Sequence, residues 1–278
     1  MRQLLRVALD LLLEATRRRW VLGLFGSITL VLTALGLSLE LDVVDGALAG
    51  SKLFGVLLSD DVVSAHRALS GVSQAVAYLA FYGGAVFLVV ACSDFAPELL
   101  SPGRIEHLLS LPVARWQLLF GTYLGVLGLV SAGILYGAVG LTALLGVKTG
   151  VWSPGLLLGS TVGLLGFAAL YAVMLCSAFF VRSASVSGGA GAAMLGLGVV
   201  ASYRESLTGL LEPGLVRTLV SWALVPVPRL GGLATMSARI AAEQAIDGAV
   251  ASRLAAGCGL FSVAALALAA WRFERMDF

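Results

Sequence analysis

The chain has 278 residues, 59% of them hydrophobic and 12% charged, with a mean hydropathy of +0.98. A soluble domain carries about 25% charged and about 45–50% apolar residues, so this composition excludes an ordinary soluble enzyme and points to the membrane class. The net charge of +2 excludes the basic field that nucleic-acid binding needs.

Residues 1–19 have helical periodicity. Leu4, Leu5, Ala8, Leu11, Leu12 and Ala15 share one face, and Arg2, Arg6, Asp10, Glu14 and Arg17 line the other. Arg6–Asp10 and Glu14–Arg18 are opposite charges at i,i+4. The pattern predicts an amphipathic helix lying in the membrane interface; a cytosolic helix packed on a partner is the alternative. It is not the pattern of a secretory signal, because Arg17, Arg18 and Arg19 follow the apolar part.

A bilayer crossing needs roughly 20 apolar residues. Candidate spans fall at 20–39, 71–93, 118–147, 156–181, 186–202 and 254–270. The expected fold is therefore an all-α integral membrane protein with six transmembrane helices in one domain, 1–278. The N-terminal arginines place that end in the cytosol, and an even number of spans returns the C-terminal "WRFERMDF" there. Segments 94–116 and the turn at Arg182 then face the cytosol, and 203–249 faces outward. This outer segment has an apolar run too short to span, broken by Pro226 and Pro228. Short re-entrant or interfacial helices are expected there.

The chain has no G-x-x-x-x-G-K-[ST] phosphate loop, no H-E-x-x-H and no G-x-S-x-G. It is therefore expected neither to hydrolyse nucleotide nor to act as an enzyme. Cys92, Cys176 and Cys258 are far apart in apolar runs, and His66 and His107 form no ligand cluster, so no metal or cofactor is expected. The middles of the spans contain no Asp, Glu, Lys or Arg, which disfavours an ion-coupled carrier. Glycines recur at 121, 125, 128, 133, 137 and 140, and again at 155, 159, 163 and 166. Such small-residue series allow close helix approach. They suit packing within one subunit as well as a dimer seam or a translocation wall.

The stretch "GRIEHLLSLPVAR", Gly103 to Arg115, interrupts the apolar text. Ile105, Leu108 and Leu109 make an apolar face, while Arg104, His107 and Ser110 recur on another at intervals of three. Pro112 stops the helix after about two turns, and Trp116 suits the headgroup level. The residues alone leave open a lever held against the bundle and a solvated loop helix without a partner.

"SPGRIEHLLSLPVARWQLLFGTYLG" resembles the cytosolic segment after the second span of ABC-2 type permeases, the membrane subunits of one class of ATP-binding-cassette transporters. That family's segment reads as acidic residues, a glycine, "LLLSLPVSR" and "LLGKYLG". Gly103, Leu108 to Val113, Arg115, Leu118, Leu119, Gly121, Tyr123, Leu124 and Gly125 match in order. The arginine-rich start, the outer "LVPVPRLGGL" and the charged C-terminal end agree with the family's layout, and the size is similar to that of the nitrous-oxide-reductase maturation permease. Arg104 stands where the family has threonine, and Thr122 where it has lysine.

The resemblance implies a permease that forms the translocation path of an exporter in the inner (plasma) membrane, with both termini cytoplasmic. Two copies of a separate ATPase would bind from the cytosol, carrying ATP and Mg that this chain does not hold. A second permease copy, identical or different, completes the path. The bilayer, and in some systems an accessory outer-face protein, are further partners. Residues 94–116 would contain the coupling helix, with Arg104, Glu106, His107, Ser110 and Arg115 toward the ATPase. Arg182, Ser183 and Ser185 would offer a second contact. Pro112 would fix the angle between lever and span, and Gly121 and Gly125 would be structural. The rival reading is a membrane scaffold or secondary carrier without ATP coupling.

Overall fold

The structure, a computed structural model, describes residues 20–44, 47–53, 56–59, 63–101, 103, 105–106, 108, 113–150, 152–210 and 214–276. The expected interfacial helix at 1–19 lies outside the described residues, as do Arg104, His107, Ser110 and Pro112.

Five stretches among the described residues are long and apolar enough to cross a membrane: Ser70–Leu99, Arg115–Thr149, Gly155–Val181, Ala184–Ser202 and Gly248–Glu274. The chain is a helical, multi-pass membrane protein. In chain order the elements begin with α1 (Trp20–Ser38), β1 (Leu39–Val44), β2 (Ala47–Leu53), β3 (Val56–Ser59) and β4 (Val63–Ser64). Then come α2 (Ala65–Ala91), α3 (Phe95–Leu99), α4 (Arg115–Thr149), α5 (Gly155–Val181) and α6 (Ala184–Ser202). The chain closes with α7 (Arg204–Leu210), α8 (Leu215–Leu224), α9 (Leu230–Ala241) and α10 (Gly248–Glu274).

Lipid tails are as apolar as leucine, so these helices gain little by hiding apolar surface from each other; close packing and internal hydrogen bonds hold them together. α5 is the hub. Phe167, Leu170, Tyr171, Met174, Leu175 and Phe179 are all at most 2% exposed, and α2, α4, α6, α9 and α10 pack around them. α1 lies alongside α4 in parallel, with Leu24 against Gly133, Ile28 against Gly137 and Leu144 against Gly36. The α4 glycines at 133 and 137 therefore serve packing within this chain. Gly121 and Gly125 are buried as well.

The α9 helix is buried on nearly every side: Leu230, Leu233, Ala234 and Ala238 have no exposed surface. Its last turn touches the start of α5, at Gly155 and Gly159. Its first turn reaches Gly166 of α5 and Gly198 of α6. Gly166 is eleven residues into α5, so α9 starts about 16 Å along α5 from that end, inside the bundle. A helix beginning in a buried place must satisfy N–H groups without water. Ser202, the last residue of α6, meets one of these needs: its Oγ accepts from the Gly232 N–H at 3.1 Å. The exposed hydrophobics of α8, including Leu215, Leu219 and Trp222, precede this buried element in sequence.

No secondary structure was expected in the segment after α1. It forms a small antiparallel sheet: β2 pairs with β1 along its length, from Leu39↔Leu53 to Val44↔Ala47, and with β3 and β4 on its other edge.

Candidate functional site

Four pieces of chain meet at one end of the bundle: the end of α2 with α3, the start of α4, the α5–α6 turn, and the end of α10. Arginines mark this end. Arg115 is the first residue of α4, and its Nη1 donates to the carbonyls of Phe273 (3.1 Å), Glu274 (3.1 Å) and Met276 (2.7 Å). The last carbonyls of a helix lack internal partners and form the negative end of its dipole. A guanidinium satisfies both needs. Arg115, expected to face a partner, is thus bonded to the C-terminal end of α10 in the same chain.

The segment between α2 and α4 is seated rather than loose. Ala96, Leu99, Leu100 and Ile105 are buried in the main core, and Leu108 and Val113 pack against it. The α3 helix rests on α5 and α6. Gly103 has φ +81, a left-handed conformation that glycine adopts without a Cβ penalty. Glu106 is exposed next to buried Ile105; the expected polar face of Arg104, His107 and Ser110 lies outside the described residues. Arg104, His107, Ser110 and Pro112 are not among the described residues.

At the α5–α6 turn, Arg182 closes α5 in a left-handed conformation, φ 48. A side chain at such a position costs roughly 1–2 kcal/mol. Arg182 and Ser185 are exposed, while Ser183 is partly covered and extended, preceding α6. Ser187 turns inward, donating to the Met174 carbonyl at 3.1 Å. The turn is therefore fixed by buried contacts on one side and open on the other.

Aromatic rings and cations ring this end. The Arg272 guanidinium lies 5.6 Å over the Phe180 ring, with its Nε buried and without a hydrogen-bond partner among the described residues, and Arg275 lies 4.4 Å over Trp271. Cation–π contacts of this kind contribute about 0.5–2 kcal/mol and suit a headgroup layer. Deeper in the bundle, Tyr123, Tyr171 and Phe167 stack with centroids 6.0 and 5.9 Å apart. Tyr123 donates to the Ala168 carbonyl at 3.0 Å, and the Tyr171 hydroxyl has no partner among the described residues. No group of His, Cys, Asp or Glu among the described residues could hold a metal.

Of the expected contact residues that are described, Glu106, Arg182 and Ser185 are exposed, while Arg115 and Ser183 are partly covered. The bonds from Arg115 to the α10 carbonyls and the contact of Arg272 with Phe180 had no signal in the sequence. Comparison with known protein families and with curated proteins returns no match to this chain.

Proposed function

We propose that this chain is the permease subunit of an ABC-2 type ATP-binding-cassette exporter, with α1 as the first of six spans and the arginine end in the cytosol. The observation that carries the reading is the anchored segment between α2 and α4, dry at Ile105 and wet at Glu106. A coupling element must transmit a push, so it needs a polar contact face on a rigid seat. Here the seat is α5 and α6 through α3, and α10 through Arg115. Force on this end would therefore move α4, α5, α6 and α10 together. In this reading Glu106 and the Arg182–Ser185 turn meet two copies of a separate ATPase, and a second permease copy completes the path. ATP and Mg belong to the ATPase, and the protein resides in the inner (plasma) membrane with both termini inside.

The test is capture of the tagged full-length chain from its native membrane. A soluble protein with a phosphate loop is expected to copurify, with its ATP hydrolysis stimulated by the chain in liposomes. The double reversal Glu106→Lys, Arg182→Glu should cut that stimulation at least about tenfold, the scale of 1–2 kcal/mol lost at an interface, while membrane insertion and melting temperature hold. Absence of any ATPase, or unaltered stimulation by the variant, would sink the assignment.

Orientation has its own test. With Cys92, Cys176 and Cys258 buried, new cysteines can be read against a quiet background. Glu106→Cys and Arg275→Cys are expected to react only with reagent from the cytosolic side, and Trp152→Cys and Gln244→Cys only from outside. The opposite pattern overturns the topology.

A further inference from the structure

At the arginine half of the bundle, α2 and α6 do not close on each other. They leave a groove of about 730 Å³, within the roughly 300–1,000 Å³ of small-molecule sites. Val86 and Val90 form one wall, and Gly189, Ala192 and Gly196 the other. The glycines of α6 divide the work. A Cβ on Gly188 would meet Ser93, and one on Gly191 would meet Met174 and Val89, so these two hold the helices together. A Cβ on Gly189 or Gly196 would meet nothing within 4 Å, so these two leave the space open.

The groove runs along α2 from Ser93 to Tyr82, whose hydroxyl lies beside Gly231 at the start of α9. That is eleven residues, or about 16 Å of helix, close to half the roughly 30 Å hydrocarbon core. It therefore has the length of one leaflet. Apart from Tyr82 at its far end, its deep part is hydrocarbon and glycine. At the arginine end the lining turns polar, with Ser93, Ser185 and the exposed carboxylate of Asp94. Asp94 is the charged residue of the lining, and it makes no capping bond to α3. The cation of the adjoining turn, Arg182, lies outside the lining.

We propose that the α2–α6 groove holds one acyl chain of an amine-headed phospholipid from the leaflet at the arginine end, with its ammonium on the Asp94 carboxylate. The acyl chain fills a slot that matches one leaflet in depth. A carboxylate at its mouth favours a headgroup with a primary ammonium over one whose only charge is phosphate. This inference does not rest on ATP coupling; a chain that recruits no ATPase would keep the site.

The test uses the full-length chain in nanodiscs of equal phosphatidylethanolamine and phosphatidylglycerol, doped with either lipid bearing a photoactivatable acyl chain. Labelling is mapped by mass spectrometry. The ethanolamine probe is expected to mark peptides covering 82–94 and 184–199 about two- to fivefold more than the glycerol probe, the upper range that an exposed ion pair supplies. Asp94→Asn, at an exposed position, should equalise the two probes, and Ala192→Phe should remove both labels. Leu260→Phe, on an exposed face of α10, should leave the labelling as it was. Equal labelling by the two probes in the parent chain would overturn the proposal. So would efficient disulfide formation between Gly189→Cys copies with neither peptide labelled, since a second copy would then occupy the groove.

Discussion

Gly159→Val is expected to drive α9 out of the bundle. A Cβ at this position would stand 2.7 Å from the Ser237 carbonyl oxygen, and this obstacle is backbone that cannot rotate aside. The same approach lets Ser237 Oγ donate to the Gly159 carbonyl at 2.8 Å, a buried bond that separation would break. Overpacking costs about 1–3 kcal/mol, and a lost buried hydrogen bond adds about 0.5–1.5 kcal/mol. Together they approach the amount that a marginal interface can lose. Melting of the detergent-solubilised protein should fall by several degrees. A cysteine at Ala238, fully buried in the parent, should become reactive to an impermeant maleimide. Gly259→Val, where a Cβ meets nothing within 4 Å, should do neither. A parent-like melting temperature with an unreactive Cys at 238 would refute the close-approach account.

Arg115→Ala should loosen the end of α10. Two N–H protons on Nη1 serve three carbonyls, so the bonds are shared and do not simply add. A hydrogen bond to a charged group contributes about 1.5–3 kcal/mol, and the total expected loss is about 2 kcal/mol. Hydrogen exchange should rise across residues 270–276 while α5 stays protected. Arg115→Lys, which keeps the charge but loses the reach of the fork, should fall between parent and alanine. Unchanged exchange in Arg115→Ala would show that the contact does not hold the helix end. Sequence alone assigned Arg115 to a partner's surface; raised exchange at 270–276 would assign it to holding α10.

The long apolar helices were legible because a lipid-facing span needs little beyond length and hydropathy. The predicted 156–181 and 186–202 lie within α5 and α6, each starting one or two residues after the helix does. The seat of α9 inside the bundle was not legible. It depends on Gly159 and Gly198 accepting α9 from two different helices, a three-body fact that periodicity along one helix does not carry. The sheet at 39–64 was not read from the sequence, because its strands are short and alternate weakly. At the arginine end, exposure followed from polarity at Glu106 and Ser185. The intrachain use of Arg115 did not, because a charge drawn on a helical wheel shows its face and not its acceptor.

The pairing of α1 with α4 also sets a schedule for biogenesis. Thr29 meets the Tyr136 hydroxyl at 2.8 Å across 107 residues, and Lys148 reaches the Gly36 carbonyl across 112. At roughly 5–20 residues per second of synthesis, α1 is made on the order of 5–20 s before its partner helix exists. It is equipped for that interval. Ser27, Thr29 and Thr33 each donate to a carbonyl of their own helix, at 2.9, 2.7 and 2.8 Å. Their hydroxyls therefore need no neighbour until α4 arrives, and Tyr136 then adds to a group already satisfied.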